Sequence, residues 1–261
     1  LLAAVLALLL VRALQSGATW LLARRHLERR QRPGPRIVVS EYLAFLRTFL
    51  LLIPGEKLFM PPDRLVPGQR VVLLVHGYGC SRGVWRSLRH RLQAAGCTVA
   101  TLSLFPPFIS MGRLVPQLRE RIEEVCRETG AHKLTLVGHS MGGLICRSYL
   151  ARHGRDERVA ALITLATPHA GTELARFGYG QNAREMRPDS LWLRDMAVEK
   201  TGVPTIAFRN PCDNYVFPPD HQRLPGAHNI DLPPVGHLAL LYDRRVADLV
   251  VDACANPDRP S

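Results

Sequence analysis

The stretch Leu134–Leu144, LTLVGHSMGGL, constrains this chain more than any other. An apolar run, Leu134–Val137, stops at Gly138; Ser140 follows, and Met141–Ile145 open a helical pattern. G-x-S-x-G set between a strand and a helix is the signature of a sharp turn that lifts a serine above a sheet. Side chains at 138 and 142 would collide with the neighbouring helix and strand, which is why glycines stand there. The Ser140 hydroxyl is expected at the carboxyl end of a strand, beside a helix N-terminus whose free N–H groups can stabilise an oxyanion. The bland alternative is a glycine-rich turn in which Ser140 only caps the helix.

The surroundings of this stretch read as one α/β domain starting near Gln69, after the linker residues Pro61, Pro62, Pro67 and Gly68. Val71–Val75 is apolar throughout, as a strand buried on both faces must be. Cys97–Leu102, Lys133–Val137, Val159–Ala166, Val203–Phe208 and Asn229–Leu232 supply five more strands. Helical patterns over Val84–Ala95, Leu114–Thr129, the segment from the serine turn to Arg152, and Ala239–Ala253 alternate with them, as a mainly parallel sheet with helices on both faces requires. The alternation lapses over 170–202, where an apolar patch at Leu191, Trp192, Leu193 and Met196 reads either as part of a small cap or as an ordinary buried helix face.

A serine nucleophile needs a base, and the base an orienting acid. In a doubly wound sheet the functional groups gather beyond the carboxyl ends of strands. Asp213 lies five residues after the strand ending at Phe208, and His237 five after the one ending at Leu232, giving the chain order Ser140, Asp213, His237. The other candidates fit less well: His139 is expected to point away from Ser140, His221 and His228 flank the start of a strand, Asp231 lies within it, and Asp220 sits late in its loop. His169 is read as shaping the floor of the site or the hinge of the cap, and His76 as structural. The turn His76-Gly77-Tyr78-Gly79 ends the first strand, so the backbone N–H groups of Tyr78 and Met141 form the expected oxyanion pair.

Together these segments resemble the α/β-hydrolase superfamily, and within it the compact bacterial lipases. The resemblance rests on LLVHGYG (73–79), VGHSMGGL (137–144), LITLATPHAGT (162–172), the acid loop Asp213-Asn214-Tyr215-Val216, and LPGAHNIDLPPVGHLALLYDRRV (224–246). It implies an α/β-hydrolase fold and hydrolysis of carboxylic esters, with acyl lipids as substrates, through an acyl-serine and without a cofactor. Leu238 and Ala239 follow His237, with no carboxylate where the larger calcium-dependent lipases place a metal ligand, so no metal is expected. An acyltransferase or thioesterase would use the same three residues; a hydrolase-fold binding protein would have no need of all three.

Composition narrows the partners. The net charge is +12, yet only Lys57, Lys133 and Lys200 are lysines among 34 basic residues. The dense cluster is Arg24, Arg25, Arg29, Arg30, Arg32 and Arg36, and its apolar flanks favour a membrane over a nucleic acid, for which no motif is present. The six cysteines are scattered, without metal or redox spacing. Residues 1–60 read as an apolar membrane-associated region. Residues 1–22 suit one span, a cleaved signal peptide being disfavoured by charge that follows the apolar run. Residues 37–54, with Glu41 and Arg47, form either a second span or an interfacial helix. The strongly apolar end Leu50–Ile53 favours two spans, for which the positive-inside rule places the arginine-rich loop 24–36 in the cytoplasm and the catalytic domain on the periplasmic or extracellular side; with one span the domain stays inside.

Overall fold

The computed structural model describes residues 2–153, 156–197 and 199–257. Helices α1 (Leu2–Ala23), α2 (Pro35–Leu50) and α3 (Ile53–Phe59) precede β1 (Arg70–Val75). There follow α4 (Arg86–Ala94), β2 (Cys97–Leu102), α5 (Met111–Thr129), β3 (Leu134–His139), α6 (Met141–His153) and β4 (Val159–Leu165). The short helices α7 (Gln181–Glu185) and α8 (Leu191–Ala197) lead to β5 (Thr205–Arg209), β6 (His228–Asp231) and α9 (Arg244–Ala255). The six strands form one parallel sheet in the order β2-β1-β3-β4-β5-β6. Because β2 lies on one side of β1 and all later strands on the other, the order reverses between β1 and β3, the crevice where such sheets bind ligands.

Alternation along the strands explains the two cores. Val72 and Leu74 face one side with Val137, Trp85, Leu92 and Val250, whereas Val71, Leu73 and Val75 face the other with Leu118, Ile122, Leu144 and Tyr149. Helix α5 buries a single stripe, Leu114, Leu118, Ile122 and Val125, as its periodicity predicts. Helix α6 is buried at every position from Met141 to Leu150, wedged between the sheet and α5, which is why it shows almost no amphipathic pattern.

The elements differ from the sequence reading in two places. The closing helix does not begin at Ala239: a 3-10 turn occupies Ala239–Leu241, and α9 starts at Arg244 because the Asp243 side chain caps it by accepting from the Arg245 N–H. The larger correction concerns residues 37–54. Helix α2 packs against α1 and against the 239–241 turn, with Glu41, Ala44 and Thr48 buried on the globular domain. A helix whose carboxylate is fully buried against the domain is part of that domain, not a second span. No helix among the described residues is long and apolar enough to cross a membrane; Leu1 lies outside the described residues. The charges of the pair are turned to packing: the Arg12 guanidinium lies 4.4 Å from the centre of the Phe49 ring, and that of Arg47 lies 4.2 Å from the centre of the Tyr242 ring.

The stretch read as a linker is bolted down by Asp63. Its buried carboxylate accepts the Thr101 N–H at 2.7 Å and pairs with Arg121 at 2.8 Å, Arg82 at 3.1 Å and Arg89 at 3.2 Å. Removing one partner of a buried ion network leaves charge uncompensated. Asp63→Asn is therefore expected to lower stability by about 3 kcal/mol, read as a lower urea midpoint at an unchanged m-value; a midpoint equal to that of the parent would show that the arginines find other partners.

Candidate active site

At the end of β3 the chain turns so sharply that Ser140 takes φ +53°, a left-handed conformation rare for a residue with a side chain and costing roughly 1–3 kcal/mol. The turn survives because its neighbours are glycines. A Cβ on Gly138 would come 2.5 Å from Gly143 Cα, and one on Gly142 would run into the Val75 and His76 carbonyl oxygens. The Ser140 N–H donates to the Leu165 carbonyl at 2.9 Å, fixing the turn to the neighbouring strand. As the sequence predicts, the serine stands at the carboxyl edge of the sheet over the start of α6.

The candidate acid and base, Asp213 and His237, meet beyond β5 and β6. Asp213 is fully buried: Oδ1 accepts the Tyr215 and Val216 N–H groups at 2.7 and 2.8 Å, and Oδ2 accepts the His237 ring at 2.9 Å and Asn210 Nδ2 at 3.4 Å. A carboxylate oxygen accepts at each of these contacts, so the His237 Nδ1–H donates to Asp213 and, in the neutral ring, Nε2 is left as the acceptor. The His237 ring stacks on Tyr215, 5.0 Å between centroids, and the Tyr215 ring also lines a cavity of about 180 Å³ that holds Ser140. The Ser140 hydroxyl has no hydrogen-bond partner among the described residues. Serine–base contacts are often loose in ligand-free sites and tighten when substrate binds.

Pro168, Leu174, Ala175, Phe177, Met186 and Val216 give this cavity its mainly apolar walls, so much of one wall comes from the 170–202 segment. Tyr78 joins the segment to the β1 loop: its hydroxyl donates to the Tyr179 carbonyl at 2.7 Å and accepts the Tyr179 N–H at 3.0 Å. The backbone N–H groups of Tyr78 and Met141 have no hydrogen-bond partner among the described residues, and Met141 is the first residue of α6. A larger cleft of about 680 Å³, lined by Arg47, Arg86, Arg91 and Arg244, lies elsewhere and touches none of these groups.

The other histidines and aspartates sort cleanly. Asp231 and Asp220 both pair with Arg209, and His221 bonds to the Gly171 carbonyl. The His76 Nε2 accepts the Leu104 N–H at 2.9 Å, a structural tie, and burial lowers its pKa. His169 contacts Thr164 Oγ1 at 3.1 Å, and burial lowers its pKa to about 3, so it stays neutral beneath the site. His139 makes no hydrogen bond to Ser140 and packs instead against His237. Its ring lies 4.6 Å from that of His237 and its Nε2 donates to the His237 carbonyl at 3.2 Å. Burial holds its pKa well below the usual value, so a neutral ring packs against His237.

Sequence reasoning did not assign Asn210, Asn214 or Glu41. Asn210 braces the acid and, through Val235, the histidine loop; Asn214 Oδ1 accepts the His237 N–H at 3.1 Å. Asn214 has a signal in the sequence, being next to Asp213; Glu41 has only its oddity as a carboxylate in an apolar stretch.

The family model described as alpha/beta hydrolase fold matches residues 70–207, more than half of the chain. The chain belongs to the alpha/beta hydrolase family. Among its relatives, triacylglycerol lipase 2 of Saccharomyces cerevisiae is 35% identical over 98 residues, 36% of this chain and 30% of that protein. A triacylglycerol lipase of Pseudarthrobacter phenanthrenivorans is 37% identical over 114 residues, 41% of this chain and 35% of the relative. The matched segments thus span about a third of each relative's length. The mature Bacillus licheniformis lipase BlEst2 superposes with a TM-score of 0.66 at 18% identity, covering 75% of this chain and 96% of that one, a likeness of fold.

In this alpha/beta hydrolase the elbow glycines make a direct test. Gly142→Ala places its methyl against backbone carbonyls that cannot rotate away, so it should cost at least about 1–3 kcal/mol in stability. Thermal denaturation of the variant checks this; an unchanged midpoint would mean that α6 can slide off β1 freely.

Proposed function

We propose that the chain is a carboxylic ester hydrolase acting on acyl lipids through an acyl-serine. Two observations joined by Tyr215 carry the reading: a serine strained into a left-handed turn lines an apolar cavity that Tyr215 also lines, and the histidine stacked on Tyr215 has its Nδ1 held 2.9 Å from a buried carboxylate. In this reading Ser140 Oγ attacks the ester carbonyl and His237 Nε2 takes its proton. The proton passes to the leaving alcohol, and water repeats the sequence to release the acid. Asp213 holds the imidazole tautomer and stabilises the imidazolium. The unpartnered Tyr78 and Met141 N–H groups supply the oxyanion donors, each worth roughly 3 kcal/mol. The naming of several relatives as triacylglycerol lipases supports the substrate class.

The test is turnover of an ester chain-length series together with labelling by a fluorophosphonate. Ser140→Ala should lose labelling and drop hydrolysis by several orders of magnitude, on the order of 10⁶-fold, with the fold kept. Asp213→Asn should lose on the order of 10⁴-fold by favouring the wrong tautomer. An Ala variant that keeps a few per cent of activity would move the nucleophile elsewhere, and transfer to an added alcohol in preference to water would make the enzyme an acyltransferase.

Leu10, Leu14 and Leu21 on α1 and Val39, Leu43 and Leu50 on α2 are exposed, and Arg24, Arg25, Arg29, Arg30 and Arg32 lie between the two helices, with Arg36 in the first turn of α2. Apolar side chains beside a dense cationic cluster suit the interface of an anionic membrane. Co-sedimentation with vesicles containing phosphatidylserine should be strong at low salt and fall steeply as salt rises. Equal binding to neutral and anionic vesicles would sink the role given to the arginines, and no binding to either would sink the membrane reading.

A further inference from the structure

Three consecutive N–H groups of the histidine loop are held by side chains alone. His237 donates to Asn214 Oδ1 at 3.1 Å, Leu238 to both carboxylate oxygens of Glu41 at 3.0 Å, and Ala239 to Glu41 Oε2 at 2.8 Å. Glu41 comes from α2, nearly two hundred residues away in sequence. The same helix pair reaches the acid loop, where Asn214 Nδ2 donates to Thr19 Oγ1 on α1 at 2.8 Å. The loop is shaped to receive the carboxylate: a Cβ on Gly236 would collide with Glu41 Oε2.

Resting on the hydrolase reading above, we propose that Glu41 is a positioning residue for His237: a second carboxylate, supplied by the N-terminal helix pair, that fixes the histidine loop and supports the imidazolium formed during turnover. Asp213 binds the ring edge directly, whereas Glu41 acts through the backbone that carries the ring and through its charge. The groups facing Glu41 are His237, Asp213, Cys212 and Tyr215 from the two site loops and Tyr242 after the 239–241 turn; Arg47, on α2 itself, is turned onto the Tyr242 ring. Against His237 pack Tyr215 and the neutral His139. The positive charge that Glu41 feels is thus that of protonated His237, which lowers its pKa, while the negative Asp213 raises it. Burial outweighs both and the N–H bonds, and pushes the Glu41 pKa up to about 7. Above that pH Glu41 is anionic, its N–H bonds are charge-assisted, and the imidazolium is favoured; below it the carboxyl takes a proton and both supports weaken.

The experiment uses the full chain, with ester turnover and the rate of fluorophosphonate labelling of Ser140 measured across pH. Glu41→Gln keeps the volume but places an amide donor against two N–H groups. The folded variant should show kcat reduced between about tenfold and a hundredfold, the cost of a misplaced base, with KM unchanged. The acid limb of its labelling profile should move to lower pH by roughly half a unit or more, because His237 has lost an anionic neighbour. Glu41→Asp, which restores the charge, should return the limb toward the parent position. The parent itself carries a control that needs no variant: its acid limb should require two ionisations, one near 7. A folded Glu41→Gln protein with kcat and acid limb both like the parent's overturns the proposal, as does a parent limb that fits one ionisation. If the parent labels at Ser140 but turns over no ester, the hydrolase reading fails while the labelling profile still decides the role of Glu41. If Ser140 does not label at all, both fall.

Discussion

Everything at the carboxyl edge of this sheet depends on how closely α6 can approach β1 and β3. Glycines at 138, 142 and 143 let the start of the helix settle onto the Val75 and His76 carbonyls and the Thr167 side chain, where any Cβ would collide. That approach forces Ser140 into its left-handed turn, with the free N–H of the first helical turn directly beside it. Strain at one residue is sustained by tight packing at three others, and the packing in turn rests on the β1–β3 and β3–β4 pairings.

The loops that carry His237 and Asp213 are held by a different logic. They contain little backbone pairing of their own, so side chains supply it. Asn210 ties the acid loop to the Val235 carbonyl, Asn214 holds the His237 amide, and Glu41 holds the next two. Sites built on loops reach catalytic precision only when a second layer of contacts locks them. Here that layer comes partly from α1 and α2, so the N-terminal helix pair and the site form one packed unit.

What was legible in the sequence follows from the range of the forces involved. The elbow, all six strands and the chain order Ser140–Asp213–His237 are written in local patterns: apolar runs, glycines at fixed offsets, loops of set length after strands. The docking of α2 is not local. Hydropathy read Leu50–Ile53 and the apolar face of 37–54 as lipid-facing, because a helix that buries leucines in a protein and one that buries them in a bilayer look alike from composition. Glu41 is the residue that separates the two cases, and its meaning appears only once its partners from residues 238 and 239 are in place. The surroundings of His139 are hidden for a related reason: the direction in which it leaves the strand is local, but the identity of the ring packed against it is set by a loop a hundred residues later.

The energetics of Glu41 show why its burial calls for a functional account. Folding raises its pKa from 4.5 to about 7, so the site, even with its N–H donors, disfavours the anion relative to water. By linkage the penalty is absent below about 4.5, where the group is protonated folded or unfolded. It grows as pH rises and is complete above about 7, where it amounts to something on the order of 3 kcal/mol. An apolar side chain at this position would spare the fold that cost but leave the Leu238 and Ala239 amides without an acceptor. The ionised carboxylate therefore stabilises the fold less at alkaline pH than the protonated one does at low pH, next to the one loop whose placement decides where the His237 ring stands. Strain in the serine turn and an unfavourable charge behind the histidine are two instances of the same trade, stability spent on geometry at the site.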